Sequence, residues 1–145
     1  MPKLEIVVVD ANSDLMPAAY AVRHQVFVKE QAVPPELERD EFDELAIHLV
    51  ALRGDDVVGT LRLVIVGGGA KIGRMAVLKA ERKAGIGARL MERAVEIART
   101  MNVREITLHA QLAAKEFYAR LGYCAEGGVF EEAGIAHVTM RKVLG

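Results

Sequence analysis

Residues 46–78 contain three apolar runs separated by short turns, and this pattern constrains the fold more than any other part of the chain. AIHLVALR and VVGTLRLVIV flank GDD at 54–56, and GGG at 67–69 leads into AKIGRMAVL. Short glycine-containing connections between such runs are typical of antiparallel hairpins. The segment therefore predicts a meander of three strands, and Gly73 in the third run predicts a bulge or the close approach of another backbone.

Helical and strand patterns alternate along the rest of the chain. LEIVVVD predicts a short buried strand, and Leu15–Phe27 has the apolar spacing of a helix. An amphipathic helix of about four turns begins at Gly85, and the strand REITLHA follows it, so residues 70–110 form a βαβ unit with parallel strands. The helix LAAKEFYARLGY and two strands within CAEGGVFEEAGIAHVTMRKVL complete a mixed α+β sheet with helices on its faces.

Composition and charge argue against several classes of protein. The chain has 145 residues, 52% of them hydrophobic, and a formal net charge of −1. These values suit one globular domain over residues 1–145 and argue against a nucleic-acid binder that relies on a basic surface. No histidine pair has metal-ligand spacing, and no apolar run is long enough to span a membrane. We therefore expect a cytoplasmic protein with no metal, no nucleic-acid partner and no membrane association.

Cys124 is the single cysteine of the chain. It allows no internal disulfide and no cysteine-based zinc site. Its sequence neighbours include no histidine or basic cluster that would activate the thiol as an acetyl carrier. We expect a buried, unreactive thiol.

An acidic segment follows the prolines at 34 and 35. Its six carboxylates stand against a single basic residue, Arg39: Glu36, Glu38, Asp40, Glu41, Asp43 and Glu44. Such a charge run is compatible with a solvated loop. The other interpretation is an electrostatic collar that attracts a cationic substrate.

The glycine-rich junction RKAGIG at 82–87 stands directly before the amphipathic helix. A helix N-terminus offers unpaired amides and a partial positive charge, so it binds anions readily. Gly85 and Gly87 remove side chains that would hold a phosphate away, while Arg82 and Lys83 add cationic donors. The junction is therefore either a simple loop-to-helix turn or a site for an anion such as pyrophosphate.

Two common nucleotide-binding loops do not fit this part of the chain. Leu90 occupies the position where a dinucleotide fingerprint needs its third glycine. Gly68 and Gly73 have the spacing of a Walker A loop, but Arg74 and Met75 follow where that loop needs Lys and Ser or Thr. What remains is the pattern R-x-x-G-x-G between a strand and a helix.

This pattern, the preceding strand IGRMAV and the later AAKEFYARLGY together resemble the GCN5-related N-acetyltransferase (GNAT) superfamily. RHQVFVKEQAVP, AIHLVA and GIAHVTM look especially like its small ElaA-like bacterial branch, and the resemblance spans essentially the whole chain. It implies a single-domain α+β (mixed α/β) fold with a mostly antiparallel mixed sheet of about six to seven strands and about four flanking helices. It also implies transfer of an acetyl group from acetyl-CoA.

The resemblance assigns cofactor contacts residue by residue. In the superfamily, one strand offers amides to the pantetheine arm, the glycine loop holds the pyrophosphate, and the later motif lines the cofactor slot. The matching positions here are Met75, Ala76 and Val77 in the strand, Arg82, Lys83, Ala84, Gly85, Ile86, Gly87 and Ala88 in the loop, and Gln111, Ala114 and Phe117 in the later motif. Gln111 stands where many relatives have Asn, which leaves the partner of its longer amide open.

The resemblance further implies direct transfer to a primary amine within a ternary complex. Tyr118 is then the general acid that protonates the departing thiolate. The general base is left open among five candidates: Glu30, Glu41, Asp43, His48 and His137. His24 and His109 are interpreted as structural. We expect a small amine acceptor, and the acidic segment favours a cationic one. A homodimer is left open, and a non-catalytic acyl-CoA sensor is the alternative function.

Overall fold

The computed structural model describes residues 2–145. Its strands are β1 (Leu4–Val9), β2 (Ile47–Arg53), β3 (Asp56–Val66), β4 (Gly69–Val77), β5 (Glu105–Gln111), β6 (Cys124–Glu132) and β7 (Ile135–Val143). Its α-helices are α1 (Met16–Arg23), α2 (Pro35–Glu38), α3 (Phe42–Leu45), α4 (Ile86–Thr100) and α5 (Lys115–Arg120). A π-helix continues α1 over His24–Glu30, and 3₁₀ turns cover Lys79–Glu81 and Leu112–Ala114. Within the described residues, no helix has the length and apolar character needed to cross a membrane.

The seven strands form one mixed sheet in the order β1-β2-β3-β4-β5-β7-β6. β4 and β5 pair in parallel, and the other neighbouring strands of residues 2–145 pair antiparallel. The predicted meander, the βαβ unit and the mostly antiparallel α+β sheet are confirmed.

Two apolar layers cover the sheet. α4 covers one face with residues spaced four apart, all at most 1% exposed: Ile86, Leu90, Ala94 and Ala98. On the other face, Met16 and Ala19 of α1 pack against Val50 of β2. Because side chains alternate between the faces of a strand, this second layer is separate from the α4 core. It covers the part of the sheet built by β2, β3 and β4.

β4 and β5 separate toward their carboxyl ends. Their parallel pairing joins Gly69–Ile72 to Glu105–Leu108, although β4 continues to Val77 and β5 to Gln111. In open sheets, the crevice beyond the carboxyl ends of adjacent parallel strands is a preferred place for ligands. The fold therefore leaves an opening between the ends of β4 and β5, which we call the β4–β5 opening.

Three local predictions need correction or refinement. β1 is a partly exposed edge strand rather than a buried one. The helix predicted over Leu15–Phe27 is α-helical to Arg23 and then widens into the π-helix, a form that is frequent at functional sites. The predicted bulge is present as a register shift between β3 and β4. The left-handed backbone, however, falls on Arg74 (φ 52°) rather than on Gly73.

Candidate functional site

The β4 side of the opening is a strand edge. Ala76 and Val77 pair with Thr60 and Gly59 of β3, and no pairing with β5 reaches this far along the strand. The Ala76 side chain is buried under the π-helix, where Val26 packs against it. The backbone edge of Met75–Val77 therefore faces the opening, at the position predicted for the pantetheine strand.

The loop between β4 and α4 has a left-handed backbone at two positions, Lys83 (φ 70°) and Gly85 (φ 79°). A Cβ atom on Gly85 would meet nothing within 4 Å, so glycine is needed there for its backbone angle and not for space. Gly85 caps α4 without a side-chain hydrogen bond. The first helical hydrogen bond joins the Arg89 amide to the Gly85 carbonyl at 3.1 Å. The amides of residues 86–88 therefore precede the hydrogen-bonded part of the helix and are available to an anion.

Gly87 allows a close approach between α4 and α5. A Cβ atom there would lie 3.3 Å from Cζ of Phe117 and 3.6 Å from Cε of Met75. Phe117, Met75 and Ala114 are partly buried against the main core. The amides at the start of α4 thus stand next to an apolar wall, which suits a ligand with both a charged and an apolar part.

The Arg82 side chain folds back onto its own loop. Its Nε donates to the Val77 carbonyl at 2.9 Å, and its two terminal nitrogens donate to the Glu30 carboxylate at 3.0 and 2.8 Å. Lys83 next to it is exposed. The guanidinium therefore ties the loop to the end of the π-helix.

The β5 side of the opening is hydrogen-bonded to Gln31, the residue that follows Glu30 at the end of the π-helix. Nε2 of Gln111, the last residue of β5, donates to Oε1 of Gln31 at 2.8 Å. Glu30 and Gln31 together link the Arg82 loop on one side of the opening to Gln111 on the other. This contact identifies a partner for Gln111 that the sequence left open.

Tyr118 lies on α5 and is 9% exposed. Its ring contacts Phe117 edge to face, with the ring centroids 5.0 Å apart. Burial raises the pKa of Tyr118 to about 12, so the phenol stays protonated at neutral pH. Tyr123 nearby is more deeply buried, at 2% exposure, and its hydroxyl has no hydrogen-bond partner among the described residues.

A buried arginine organises the acidic segment. Arg23 at the end of α1 is 1% exposed. Its Nε donates to the Glu38 carboxylate at 2.8 Å, and its Nη1 and Nη2 donate to the two Asp43 oxygens at 2.6 and 3.1 Å. Nη2 also reaches the Glu38 carbonyl at 3.0 Å. The segment is thus held against α1 by a nearly saturated guanidinium.

Two arginines of the sheet complete this network. Arg62 on β3 donates to Asp40 at 2.6 and 3.0 Å and to Asp43 at 3.0 Å. Arg74 on β4 donates to the Glu38 carbonyl at 2.9 Å and to Asp40 at 3.2 Å. We refer to Arg23, Glu38, Asp40, Asp43, Arg62 and Arg74 as the ion network.

The ion network changes the interpretation of the acidic segment. Burial alone would raise the pKa of Asp43, but the hydrogen bonds and charges of Arg23 and Arg62 outweigh it and hold that pKa well below its usual range. Asp40 is shifted in the same direction, because Arg62 and Arg74 outweigh its burial. Three of the six carboxylates are therefore neutralised by three arginines. This part of the segment is neither a solvated loop nor an unpaired collar.

The candidate bases lie in different surroundings. Glu30 is paired with Arg82 beside the cofactor loop, whereas Glu41 is exposed at the start of α3. His48 is 1% exposed, its Nε2 lies 2.8 Å from the Asp43 carbonyl, and burial lowers its pKa. His137 is 7% exposed and stands opposite Gln111 in the β5–β7 register. The structure thus brings Glu30 and His137 to the opening and places Glu41 and His48 by the acidic segment.

Sequence reasoning missed part of this region. His109, which it interpreted as structural, lies 3.2 Å from the Glu132 carboxylate, and Nε2 of His137 lies 3.8 Å from the other oxygen of that carboxylate. Strand alternation predicts that residues two apart share a face. It gives no hint that a register shift between Glu126 and Phe130 sets the pairing of β6 with β7.

The prediction of a buried Cys124 is wrong, because the thiol is exposed. Cys124 is the first residue of β6, an edge strand of the sheet, and that strand is mostly exposed. Within the described residues, no group of three or more His, Cys, Asp and Glu side chains is arranged to hold a metal ion.

Comparison with known sequences identifies related proteins along most of the chain. The family model described as "Acetyltransferase (GNAT) domain" matches residues 10–144. The Bacillus subtilis protein named "Uncharacterized N-acetyltransferase YjcF" is 37% identical over 136 residues, which cover 93% of this chain and 97% of that protein.

Solved structures share the fold at similar coverage. An acyl-CoA N-acyltransferase from Pseudomonas aeruginosa has 32% identity and a TM-score of 0.87, covering 97% of this chain and 99% of its own. Escherichia coli ElaA has 25% identity and a TM-score of 0.86, again over 97% and 99% of the two chains.

Proposed function

Because the chain belongs to the GNAT acetyltransferase family, we propose that it transfers an acetyl group from acetyl-CoA directly to a primary amine. The observation that carries the proposal is the junction at the start of α4. There, the unpaired amides of residues 86–88 stand beside the exposed strand edge of β4 and the apolar wall of Phe117 and Met75. A phosphate-bearing ligand with a long, weakly polar arm fits this combination.

The cofactor assignment rests on complementary chemistry at the two ends of the opening. The amides after Gly85 and the exposed Lys83 offer hydrogen bonds and positive charge to a pyrophosphate. The edge of Met75–Val77 offers ladder-type hydrogen bonds to the amides of a pantetheine arm. Glu30 keeps the Arg82 guanidinium engaged, so backbone amides, more than that side chain, account for phosphate binding in this proposal.

Acetyl transfer to an alkylammonium ion removes two protons from the nitrogen, one before attack and one after it, and delivers one proton to the departing sulfur. An alkylamine of pKa about 10.4 must lose a proton before it can attack, and the thiolate that leaves must gain one. Tyr118 is the proposed donor to the thiolate. Its burial keeps the phenol protonated to a pH near its pKa of about 12, so it can donate a hydrogen bond across the whole physiological range.

The acceptor is proposed only as a primary amine. The ion network neutralises Glu38, Asp40 and Asp43, so the acidic segment gives little support to a preference for strongly cationic acceptors. The proposal predicts that an Asp40→Asn, Glu41→Gln double variant changes the acceptor KM by less than about threefold. A rise in the acceptor KM of tenfold or more would support the interpretation of the acidic segment as an electrostatic collar.

Calorimetry with CoA and a thiol-release assay test the proposal. We expect saturable CoA binding, together with thiol release from acetyl-CoA that depends on an added amine. Absence of CoA binding at high concentration would refute the cofactor assignment. Binding without thiol release for any amine in a broad panel would instead favour the acyl-CoA sensor.

The donor role of Tyr118 has a matched control in the same core. Tyr118→Phe should keep CoA affinity and lower turnover by about 100-fold or more, as expected for loss of a general acid. Tyr123→Phe removes a second buried phenol hydroxyl of the same core, one with no hydrogen-bond partner among the described residues, and should leave turnover nearly unchanged. Equal turnover of Tyr118→Phe and the wild type would remove Tyr118 from the mechanism.

A further inference from the structure

The face of β5, β6 and β7 that points away from α4 carries two histidines around one carboxylate. Glu132 Oε1 lies 3.2 Å from Nδ1 of His109, and Glu132 Oε2 lies 3.8 Å from Nε2 of His137. About half of the Glu132 side chain is exposed, against 30% for His109 and 9% for His137. A solvent-accessible carboxylate therefore stands in front of a buried imidazole.

Phe130 fixes the two rings relative to each other. Its ring meets that of His109 edge to face at a centroid distance of 5.0 Å and stacks on that of His137 at 5.9 Å with an interplanar angle of 21°. The register shift after Glu126 is what brings Phe130 opposite His137. The bulge in β6 thus produces an ordered arrangement of Phe130, Glu132 and the two histidines.

Backbone contact selects the tautomer of His137. Its Nδ1 lies 2.7 Å from the Ile135 carbonyl. Because a carbonyl can only accept, Nδ1 carries the hydrogen in the neutral ring and Nε2 keeps its lone pair. That lone pair lies on the side of Glu132. A proton taken up at Nε2 would form a charged hydrogen bond or ion pair with the carboxylate.

The cluster lies beside the opening proposed to hold the thioester. His137 is the β-sheet neighbour of Gln111, which ends β5 beyond the point where β4 has separated. The titratable groups that face His137 from the neighbouring strands are Glu132 and, through it, His109. The adjoining turn Leu112–Ala114 contributes only apolar side chains. An amine approaching from this face would meet Glu132 first.

We propose that Glu132 receives the ammonium group of a primary alkylamine acceptor and that Nε2 of His137 is the base that removes its proton. The inference rests on the proposed function. An N–H bond of the ammonium breaks and the proton moves to Nε2. The freed nitrogen lone pair forms the C–N bond to the thioester carbonyl carbon. When the tetrahedral intermediate collapses, the C–S bond breaks and the sulfur takes a proton from Tyr118. The nitrogen then loses its second proton, which restores the Tyr118 phenol, and the imidazolium passes the first proton to solvent. Glu132 binds the substrate ammonium and stabilises the imidazolium.

Two acceptors that differ in their protonation at pH 7 can distinguish a catalytic base from a structural histidine at position 137. An alkylamine such as n-butylamine is an ammonium ion at pH 7, whereas hydroxylamine is largely neutral and can attack without first losing a proton to a base. We expect His137→Gln to lower thiol release with n-butylamine by about 100-fold or more and with hydroxylamine by less than about threefold. Glu132→Gln should raise the KM for n-butylamine by about tenfold. Glu126→Gln, on the same face of β6 but paired with Arg141, should match the wild type.

The outcomes distinguish this inference from the proposed function. If the wild type transfers acetyl to neither amine, nor to ethanolamine or spermidine, the proposed function is refuted and this inference with it. If the wild type is active and His137→Gln slows both amines equally or not at all, the base assignment alone is refuted.

Imidazole nitrogen NMR tests the same geometry without turnover. In the wild type, His137 should show a protonated Nδ1 and an unprotonated Nε2. n-Butylammonium should shift its signals in the wild type but not in Glu132→Gln, which alters a half-exposed side chain and should fold. The opposite tautomer, or equal shifts in the two proteins, would overturn the proposal even if His137→Gln does not fold.

Discussion

The ion network and the start of α4 treat polar groups in opposite ways. In the network, Arg23 is 1% exposed and its guanidinium nitrogens donate four hydrogen bonds to two carboxylates and a carbonyl. At the start of α4, the cap is a glycine without a side-chain hydrogen bond, and the amides of residues 86–88 precede the first helical hydrogen bond. The charged groups of the ion network are paired with one another, whereas the amides at the start of α4 have no helical partners. We call the ion network the closed region and the start of α4 the open region.

This difference separates a structural role from a binding role. Buried charges are costly unless they are paired and hydrogen-bonded, so a network whose charges are all paired is expected to stabilise the fold. Donors left at a helix start next to an opening keep their capacity for a ligand. Changes in the ion network should therefore alter stability, and changes at the α4 start should alter cofactor affinity.

The largest expected effect comes from breaking the network at its most buried member. Arg23→Met keeps the length of the side chain but leaves Glu38 and Asp43 buried without their main partner. Loss of one partner of a buried ion pair typically costs about 3–5 kcal/mol. We expect a decrease of that size in the free energy of unfolding, measured with urea.

An exposed ion pair on α4 supplies the control for this variant. Arg93 and Glu96 are 3.4 Å apart and solvent-exposed, and Arg93→Ala should cost no more than about 0.5 kcal/mol. Comparable losses for Arg23→Met and Arg93→Ala would show that the network does not stabilise the fold.

The second largest expected effect is the loss of folding stability when acid protonates the carboxylates of the ion network. The carboxylates of Asp40 and Asp43 have pKa values lowered in the folded state, so the folded protein binds fewer protons than the unfolded chain. Their contribution is complete above the unfolded pKa of about 3.9 and is lost as the pH falls below it. We expect a stability loss on the order of 2 kcal/mol between pH 5 and pH 2.5.

Urea unfolding across this pH range measures the loss, and substitutions assign it. Asp43→Asn should be less stable at neutral pH and show a flatter pH dependence. Asp55→Asn, in the exposed β2–β3 turn, should keep the wild-type slope. An unchanged slope in Asp43→Asn would assign the acid sensitivity to other groups.

Two glycines with left-handed backbones can separate a role in anion binding from backbone strain alone. Gly85 (φ 79°) and Gly67 (φ 58°) both have left-handed backbones, and a Cβ at either would meet nothing within 4 Å. Alanine should therefore cost each site a similar stability, about 1 kcal/mol. Only Gly85→Ala should also weaken CoA binding, by about 10- to 100-fold, because it misaligns amides that bind the anion. Calorimetry in which the two variants bind CoA equally would refute the role of this junction.

The sequence predicts the open region better than the closed one. Left-handed backbone and helix starts have local signatures, so Gly85 and the helix after it could be identified from RKAGIG alone. The ion network joins Arg23, the acidic segment, Arg62 and Arg74 across as many as 36 positions of sequence. Nothing in the acidic run indicates which of its carboxylates meet arginines from three different elements, and an isolated charge run is most often solvated.

The same contrast holds within the candidate site. Phe117 and Tyr118 were predicted from a contiguous motif, and Met75–Val77 from the strand before the loop. The Glu132 cluster depends on a register shift in β6 and on the pairing of β5 with β7, which are neighbours in the sheet but not consecutive in the sequence. Period-two alternation does not report that shift, which is why the sequence left His137 as one base candidate among several.

The smallest expected effect concerns the Glu30–Arg82 ion pair, which lies beside the open region and joins the loop before α4 to the π-helix. Both side chains are more than a quarter exposed, so Glu30→Gln should change the free energy of unfolding by less than about 1 kcal/mol. The substitution also frees the Arg82 guanidinium beside the anion site, so CoA affinity should rise by about two- to fivefold at low salt. The gain should disappear in about 0.5 M salt, because exposed charges are screened there. Calorimetry at the two salt concentrations measures this. A fall in affinity would instead mean that Glu30 must hold Arg82 in place for the loop to bind CoA.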